Sequence, residues 1–223
     1  MQNKINTQET KKCIYHKFLS YLRGQKMVFS HIGAVAFMVL GLAMVKLMTN
    51  LVELLAKNYN NDPDDDVFFY WPHTAFCFIT LFTIMLFWWT CYPLTDLNYF
   101  PNDGWNLGTY VLFCLVPFLM YMISEILTPR NHDGKSLDLK DYYYQYHRVI
   151  LGLAWLLQVA LIGNLFVFFQ GELYSTKVLG RVIMLCVMFP MVISANRRIH
   201  EIGMGIFFVG FIYTIIKYHI FMA

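Results

Sequence analysis

The sequence is short of charged residues. Asp, Glu, Lys and Arg make up 14% of its 223 residues, whereas about a quarter of an ordinary soluble domain is charged. Hydrophobic residues make up 58% of the chain, and the mean hydropathy is +0.48. This composition argues against a soluble globular domain and indicates an integral membrane protein.

Several sequence patterns with known chemistry are also missing. The five cysteines include no Cys-x-x-Cys pair, which argues against a disulfide framework and a zinc site. The sequence has no Gly-x-Ser-x-Gly elbow, no His-Glu-x-x-His helix and no phosphate-binding glycine loop, which are signatures of common enzymes. No internal repeat supports an inverted-repeat transporter.

The apolar residues lie in six long blocks, each close to the ~20 residues that a helix needs to cross a bilayer. We therefore expect an all-α, polytopic membrane bundle of about six transmembrane helices in a single domain, 27–223. The predicted spans cover residues 27–57, 67–94, 105–128, 142–170, 177–196 and 199–221.

The first 26 residues are polar and basic. No small-residue cleavage pattern ends the apolar run that follows them, so we expect an uncleaved anchor rather than a signal peptide. The positive-inside rule predicts that residues 1–26 form a cytoplasmic tail, which can be helical. Six spans would then leave five later basic residues outside, so the orientation signal is split: Arg130, Lys135, Lys140, Arg197 and Arg198.

Polar residues gather at one end of the predicted bundle. Because the spans alternate in direction, the end of span one meets the starts of spans two, four and six and the ends of spans three and five. We call this the polar end. Its candidate site residues are Lys46, Asn50, Glu53, His73, Glu125, His147, Arg148, Arg197, Arg198, His200 and Glu201.

The polar end has two interpretations. Ionisable residues near membrane depth usually face a bundle interior or a watery cavity, which predicts a polar vestibule. Alternatively, these side chains snorkel to water or cap helices just beyond the hydrocarbon. The stripe Lys46, Asn50 and Glu53 fits either, because span one can cross the bilayer before Lys46 and turn this stripe toward the other polar residues.

Other polar and aromatic residues have more ordinary interpretations. We expect Tyr142, Tyr143, Tyr144 and Tyr146 to anchor span four at the membrane interface. In the middle of that span, Gln158 and Asn164 point to different faces of the helix and are typical of interhelical hydrogen bonds. Pro117 and Pro190 lie inside spans three and five, where they usually shape a helix.

Two alternatives involve chemistry at the polar end. Paired histidines at matching depth hold haem in many membrane cytochromes, and His73, His147 and His200 share this end. No ligand-type spacing of histidines occurs within a span, so we expect no cofactor and no metal, with haem as a minor alternative. An enzyme acting on a lipid-like substrate would use His147, His200 or Glu125 as acid or base.

Two neighbouring segments carry a resemblance to a group of proteins. The run PFLMYMISEILTP is followed by LDLKDYYYQYHRVILGL, and together they resemble a pattern in uncharacterised bacterial multi-pass inner-membrane proteins. The resemblance covers about a quarter of the chain. It implies architecture and a cell inner membrane, and no activity comes with it.

These observations lead to one functional hypothesis. We expect a non-enzymatic membrane protein that forms a homo-oligomer and acts as a pore-like or signal-sensing subunit, with the lipid bilayer and a soluble protein at the cytoplasmic face as partners. No nucleic-acid-binding module is present. The richness in Phe, Tyr, Ile, Lys and Asn suggests an AT-rich gene, a context in which membrane subunits of antiviral defence systems occur.

Overall fold

The protein is a bundle of apolar helices. The computed structural model describes residues 30–56, 67–91, 105–129, 137–168 and 176–217. Six helices are present in these ranges: α1 (Ser30–Ala56), α2 (Trp71–Cys91), α3 (Leu107–Leu127), α4 (Leu139–Phe168), α5 (Thr176–Ile193) and α6 (Arg197–Ile215). The predicted all-α polytopic bundle is confirmed, while the basic tail 1–26 lies outside the described residues.

Five of these helices are long and apolar enough to cross a membrane, namely α1, α2, α3, α4 and α6. The protein is therefore a multi-pass membrane protein. Helix α5 is shorter, with 18 residues, which is about 27 Å of helix. Its apolar part, Val178–Ile193, falls below the length of the other five.

Local capping sets several helix ends. Asn106 and Thr109 form a capping box before α3, and the side chain of Asn196 accepts a hydrogen bond from the backbone of Arg198 at the start of α6. The Asp138 carboxylate accepts a hydrogen bond from the Lys140 amide at 2.7 Å. Such oxygens satisfy amides that have no partner inside the helix, so α4 begins at Leu139, three residues earlier than predicted.

Helix α1 packs through one narrow face. Its buried residues recur every three or four positions: Ile32, Ala36, Leu40, Ala43, Leu47, Asn50 and Leu54. This spacing places them on one side of the helix. The small side chains of Ala36 and Ala43 let the helix approach the bundle closely, and the ring of Phe37 stacks on Trp88 of α2.

A short parallel ladder ties the chain together before α2 and α4. Strand β1 (Val67–Phe68) pairs with β2 (Leu137–Asp138), and Val67 lies opposite Leu137. Predicted span two, at about 67–94, begins with this strand, and α2 itself starts at Trp71. The ladder places the first turns of α2 and α4 side by side, next to Leu54 of α1.

Helices α5 and α6 form the tight hairpin that their short connection predicts. At Gly203 of α6, an added Cβ would lie 2.5 Å from Sδ of Met191 and 2.9 Å from its Cγ. Met191 is buried, so it has little room to move. At Gly205, an added Cβ would meet nothing within 4 Å.

These two glycines give a matched test of the hairpin. We expect Gly203→Val to lower the free energy of unfolding by about 1–3 kcal/mol, because overpacking forces neighbours out of place. Gly205→Val should leave stability nearly unchanged, since its side chain points into open space. Thermal unfolding in detergent measures both, and equal losses in the two variants would contradict the close contact at Gly203.

Candidate functional site

The polar end predicted from the alternating spans is assembled in the structure. Asn50 of α1 donates a hydrogen bond to the Thr128 hydroxyl after α3, and Lys46 of α1 lies 3.9 Å from the Glu125 carboxylate of α3. Tyr143 of α4 lies 2.9 Å from His200 of α6, from its phenol oxygen to Nδ1. These contacts connect helices that are far apart in sequence.

The candidate residues differ in how far they reach solvent or lipid. Glu53, Arg148, Arg197 and Arg198 are exposed, and Lys46, Glu125 and Glu201 are partly exposed. Asn50, His73, His147 and His200 are buried. The three histidines therefore pack inside the bundle and do not line an opening at the surface of this chain.

The end of α3 is held by side chains from three other helices. Nε2 of His73 in α2 lies 2.6 Å from the Leu127 carbonyl, and the Tyr142 hydroxyl of α4 donates to the Ile126 carbonyl at 2.6 Å. Asn50 of α1 contacts Thr128 beside them. The last carbonyls of a helix have no intrahelical partner, so His73 and Tyr142 supply the donors that water would otherwise provide.

His200 has the same role at the end of α5. Its Nε2 lies 2.7 Å from the Ser194 carbonyl. Because a carbonyl only accepts, Nε2 carries the hydrogen, and Nδ1 is then the acceptor for the Tyr143 hydroxyl. His200 thus joins α4, α6 and the end of α5 while both of its ring nitrogens are engaged. By the same reasoning, His73 carries its hydrogen on Nε2.

His147 differs from the other two histidines. Its Nδ1 lies 2.6 Å from the Tyr144 carbonyl in its own helix, so Nδ1 is the donor and Nε2 keeps a lone pair. Nε2 is buried and has no hydrogen-bond partner among the described residues. The ring packs edge to face on His200, with 5.1 Å between centroids.

Tyrosines complete this cluster. The hydroxyls of Tyr70 and Tyr144 lie 3.0 Å apart, and the Tyr144 ring contacts both His147 and His200. Burial, followed by the hydrogen bond with Tyr144, raises the pKa of Tyr70. Arg197 and Glu201 form an ion pair of 2.6 Å at the outside of the cluster, within electrostatic reach of Tyr70.

The expectation that Tyr142, Tyr143, Tyr144 and Tyr146 anchor α4 at the membrane interface is wrong for Tyr143. Tyr143 is fully buried and bonded to His200. The sequence holds a signal for this, because Leu139, Tyr143, His147 and Ile150 lie on one helical face and all four are buried. Tyr70 was missed because its position before α2 depends on the β1–β2 ladder.

A second polar feature lies on the α1 side. Lys46, Thr49, Asn50 and Glu53 line a groove of about 500 Å³. Leu42, Val45, Tyr121 and Pro129 form the rest of its wall. The polar stripe of α1 therefore faces α3 and this groove. The histidine cluster, which consists of His73, His147 and His200 with the tyrosines around them, lies among α2, α4 and α6.

The polar residues in the middle of α4 form interhelical bonds, as predicted. The side-chain amide of Asn164 donates to the Leu112 carbonyl of α3 at 3.1 Å. Gln158 accepts a hydrogen bond from Arg181 of α5 at 3.1 Å. Bonds of this kind in membrane proteins contribute on average about 0.6 kcal/mol each.

The positions of the histidines and of Glu125 bear on the haem and enzyme alternatives. His200 has no free ring nitrogen for an iron, and its direct ring contact with His147 leaves no gap for a macrocycle between them. Over the described ranges, no group of three or more His, Cys, Asp or Glu side chains is placed to hold a metal. The proposed acid–base residues are also divided, since Glu125 contacts Lys46 at the groove.

Removing one hydroxyl tests the histidine cluster. Tyr143→Phe keeps the ring but leaves Nδ1 of buried His200 without its donor, so we expect a loss of about 1–3 kcal/mol in the free energy of unfolding. Tyr146→Phe is the matched control, because Tyr146 is exposed. Denaturation in mixed detergent micelles compares the two, and an unchanged Tyr143→Phe protein would contradict the assigned bond.

The comparisons with known proteins add no family to this description. No protein-family model, no curated protein and no solved structure matches the chain. The geometry of the polar end therefore carries the functional argument.

Proposed function

We propose that the protein is a signal-sensing membrane subunit, without catalytic activity, in which protonation of the histidine cluster is the signal. The observation that carries this proposal is Nε2 of His147, which is buried and has no hydrogen-bond partner in the part of the chain that the structure describes. His73 and His200 act as helix caps, but capping does not account for Nε2 of His147. A neutral imidazole with a free lone pair can take up a proton.

Protonation of His147 would disturb the residues that contact its ring and thereby change how the helices pack. His200 of α6 and Tyr144 of α4 contact its ring, while Tyr70 and Tyr143 contact Tyr144. Glu201 and Arg197 lie at the outside of the cluster. A positive charge on His147 would lie next to the ring that ties α6 to the end of α5, and burying an unpaired charge is costly.

Imidazole is the side chain that ordinarily changes charge between pH 5 and 8, and protonated histidines switch interfaces in known pH sensors. Protonation would loosen the packing contact between α4 and the α5–α6 hairpin. We further propose a cell inner membrane as the location and a soluble protein as the receiver of the signal. The resemblance of the two segments and the basic tail 1–26 support this setting.

A pore-like oligomer is the second candidate. It is favoured by the groove on α1, whose polar residues Lys46, Thr49 and Glu53 are partly or fully exposed. One chain of this size encloses little space, so a pathway would lie between copies and would use this face. Ion flux through liposomes that contain the protein would support this candidate.

Spin labels test the sensing proposal. Cys13 and Cys186 are first changed to Ser. Spin labels are then placed at Gln145→Cys in α4 and at Ala195→Cys in the α5–α6 turn, both exposed positions. The distance between the labels reports the contact between α4 and the α5–α6 hairpin. We expect the mean label distance in lipid nanodiscs to change by about 1–2 Å between pH 8 and pH 5, the size of helix shifts in switching proteins.

Two variants make this measurement specific. His147→Phe keeps a ring of similar size but cannot titrate, so its label distance should not depend on pH. His31→Phe changes an exposed histidine outside the cluster and should retain the response. A pH response that persists in His147→Phe, or no response in the unmodified histidine background, would contradict the proposal.

A further inference from the structure

The groove beside α1 has the polarity of a phospholipid. Its wall begins with Leu42 and Val45, continues with Lys46 and Thr49, and ends with Glu53. Along the helix the order is thus apolar, cationic and anionic. Lys46 lies 16 residues after Ser30, about 24 Å along α1, so this order runs from the hydrocarbon toward the headgroups.

The charges of the groove select among headgroups. Lys46 is the cation among the described residues of the groove wall; its side chain is 33% exposed and lies 3.9 Å from the Glu125 carboxylate of α3. Glu53 is exposed one more turn beyond Thr49. Among the described residues, the groove wall thus presents one cation and one anion, Lys46 and Glu53, and this pair complements a zwitterionic headgroup better than a purely anionic one.

We propose that this groove binds one aminophospholipid of the phosphatidylethanolamine type. The acyl chains would lie along Leu42, Val45 and Tyr121, and the phosphate would accept hydrogen bonds from Lys46. The primary ammonium would donate to Glu53. This order of acyl chain, phosphate and ammonium is the order of the apolar, cationic and anionic residues on the groove wall.

The proposal separates ethanolamine from choline headgroups. An ethanolamine ammonium has three N–H donors for carboxylates, whereas a trimethylated choline nitrogen has none. Charge-assisted hydrogen bonds are about twice as strong as neutral ones. Glu53 therefore gives specificity for the amine, and Lys46 gives affinity for the phosphate common to all phospholipids.

Native mass spectrometry of the full chain tests this inference. The protein is incorporated into nanodiscs that hold equal amounts of phosphatidylethanolamine, phosphatidylcholine and phosphatidylglycerol with the same acyl chains, and the retained lipids are counted after release. We expect one phosphatidylethanolamine to be retained with about tenfold preference over the other two lipids, which is the effect of one charged hydrogen bond.

Single substitutions test separately the binding of the phosphate and of the amine of the headgroup. Lys46→Ala should lower retention of every phospholipid about tenfold, while Lys46→Arg should restore it. Glu53→Gln should lower retention of phosphatidylethanolamine to the level of phosphatidylcholine and leave retention of phosphatidylcholine unchanged. Arg148→Ala, an exposed charge on α4, is the control and should bind like the native protein. Thermal unfolding in detergent confirms that each variant is folded.

Three results would overturn the inference. Equal retention of the three lipids would remove the headgroup specificity, and a preference for phosphatidylglycerol would reverse its sign. A dimer that retains no lipid and that Lys46→Ala dissociates would show that a second copy covers the groove. None of these results depends on the response of His147 to pH, so the lipid site and the sensing proposal fail or stand separately.

Discussion

The carbonyl groups at the ends of buried helices are the constraint on which the polar end depends. A helix leaves its last carbonyls without partners, and a buried carbonyl without a hydrogen bond is costly. Helix α3 ends at the fully buried Leu127 and Thr128. His73 of α2 meets the Leu127 carbonyl, Tyr142 of α4 donates to the Ile126 carbonyl, and Asn50 of α1 donates to the Thr128 hydroxyl. These contacts therefore also fix how the helices pack.

This constraint explains why histidines rather than charged side chains occupy the interior. A neutral imidazole offers one donor and one acceptor, which suits a site that holds a carbonyl on one side and a hydroxyl on the other. His200 uses both, between Ser194 and Tyr143. The charged residues of the polar end lie outside this cluster, at the Arg197–Glu201 pair and at the groove of α1. Nε2 of His147 has no partner within the described ranges, and for that reason His147 is the proposed site of the signal.

The fold could be predicted from the sequence because it follows from block length and hydropathy, and the polar end could be predicted because spans alternate. The division of the polar end into a buried cluster and an open groove could not be predicted from the sequence. It depends on the rotation of each helix about its axis: α1 turns Leu47 inward, and its polar stripe then meets α3. The partner of Tyr143 was missed for a related reason, since a tyrosine near a span end fits the interface equally well until His200 is placed opposite it.

The tautomers of the three histidines test the central claim most directly, because each follows from one specific carbonyl contact. Nitrogen-15 NMR of histidine-labelled protein in lipid at pH 8 distinguishes them, with single His→Phe variants to assign the signals. The account predicts that His73 and His200 carry their hydrogen on Nε2 and that His147 carries it on Nδ1. A His200 ring protonated on Nδ1, or three histidines that exchange between tautomers as in water, would contradict it.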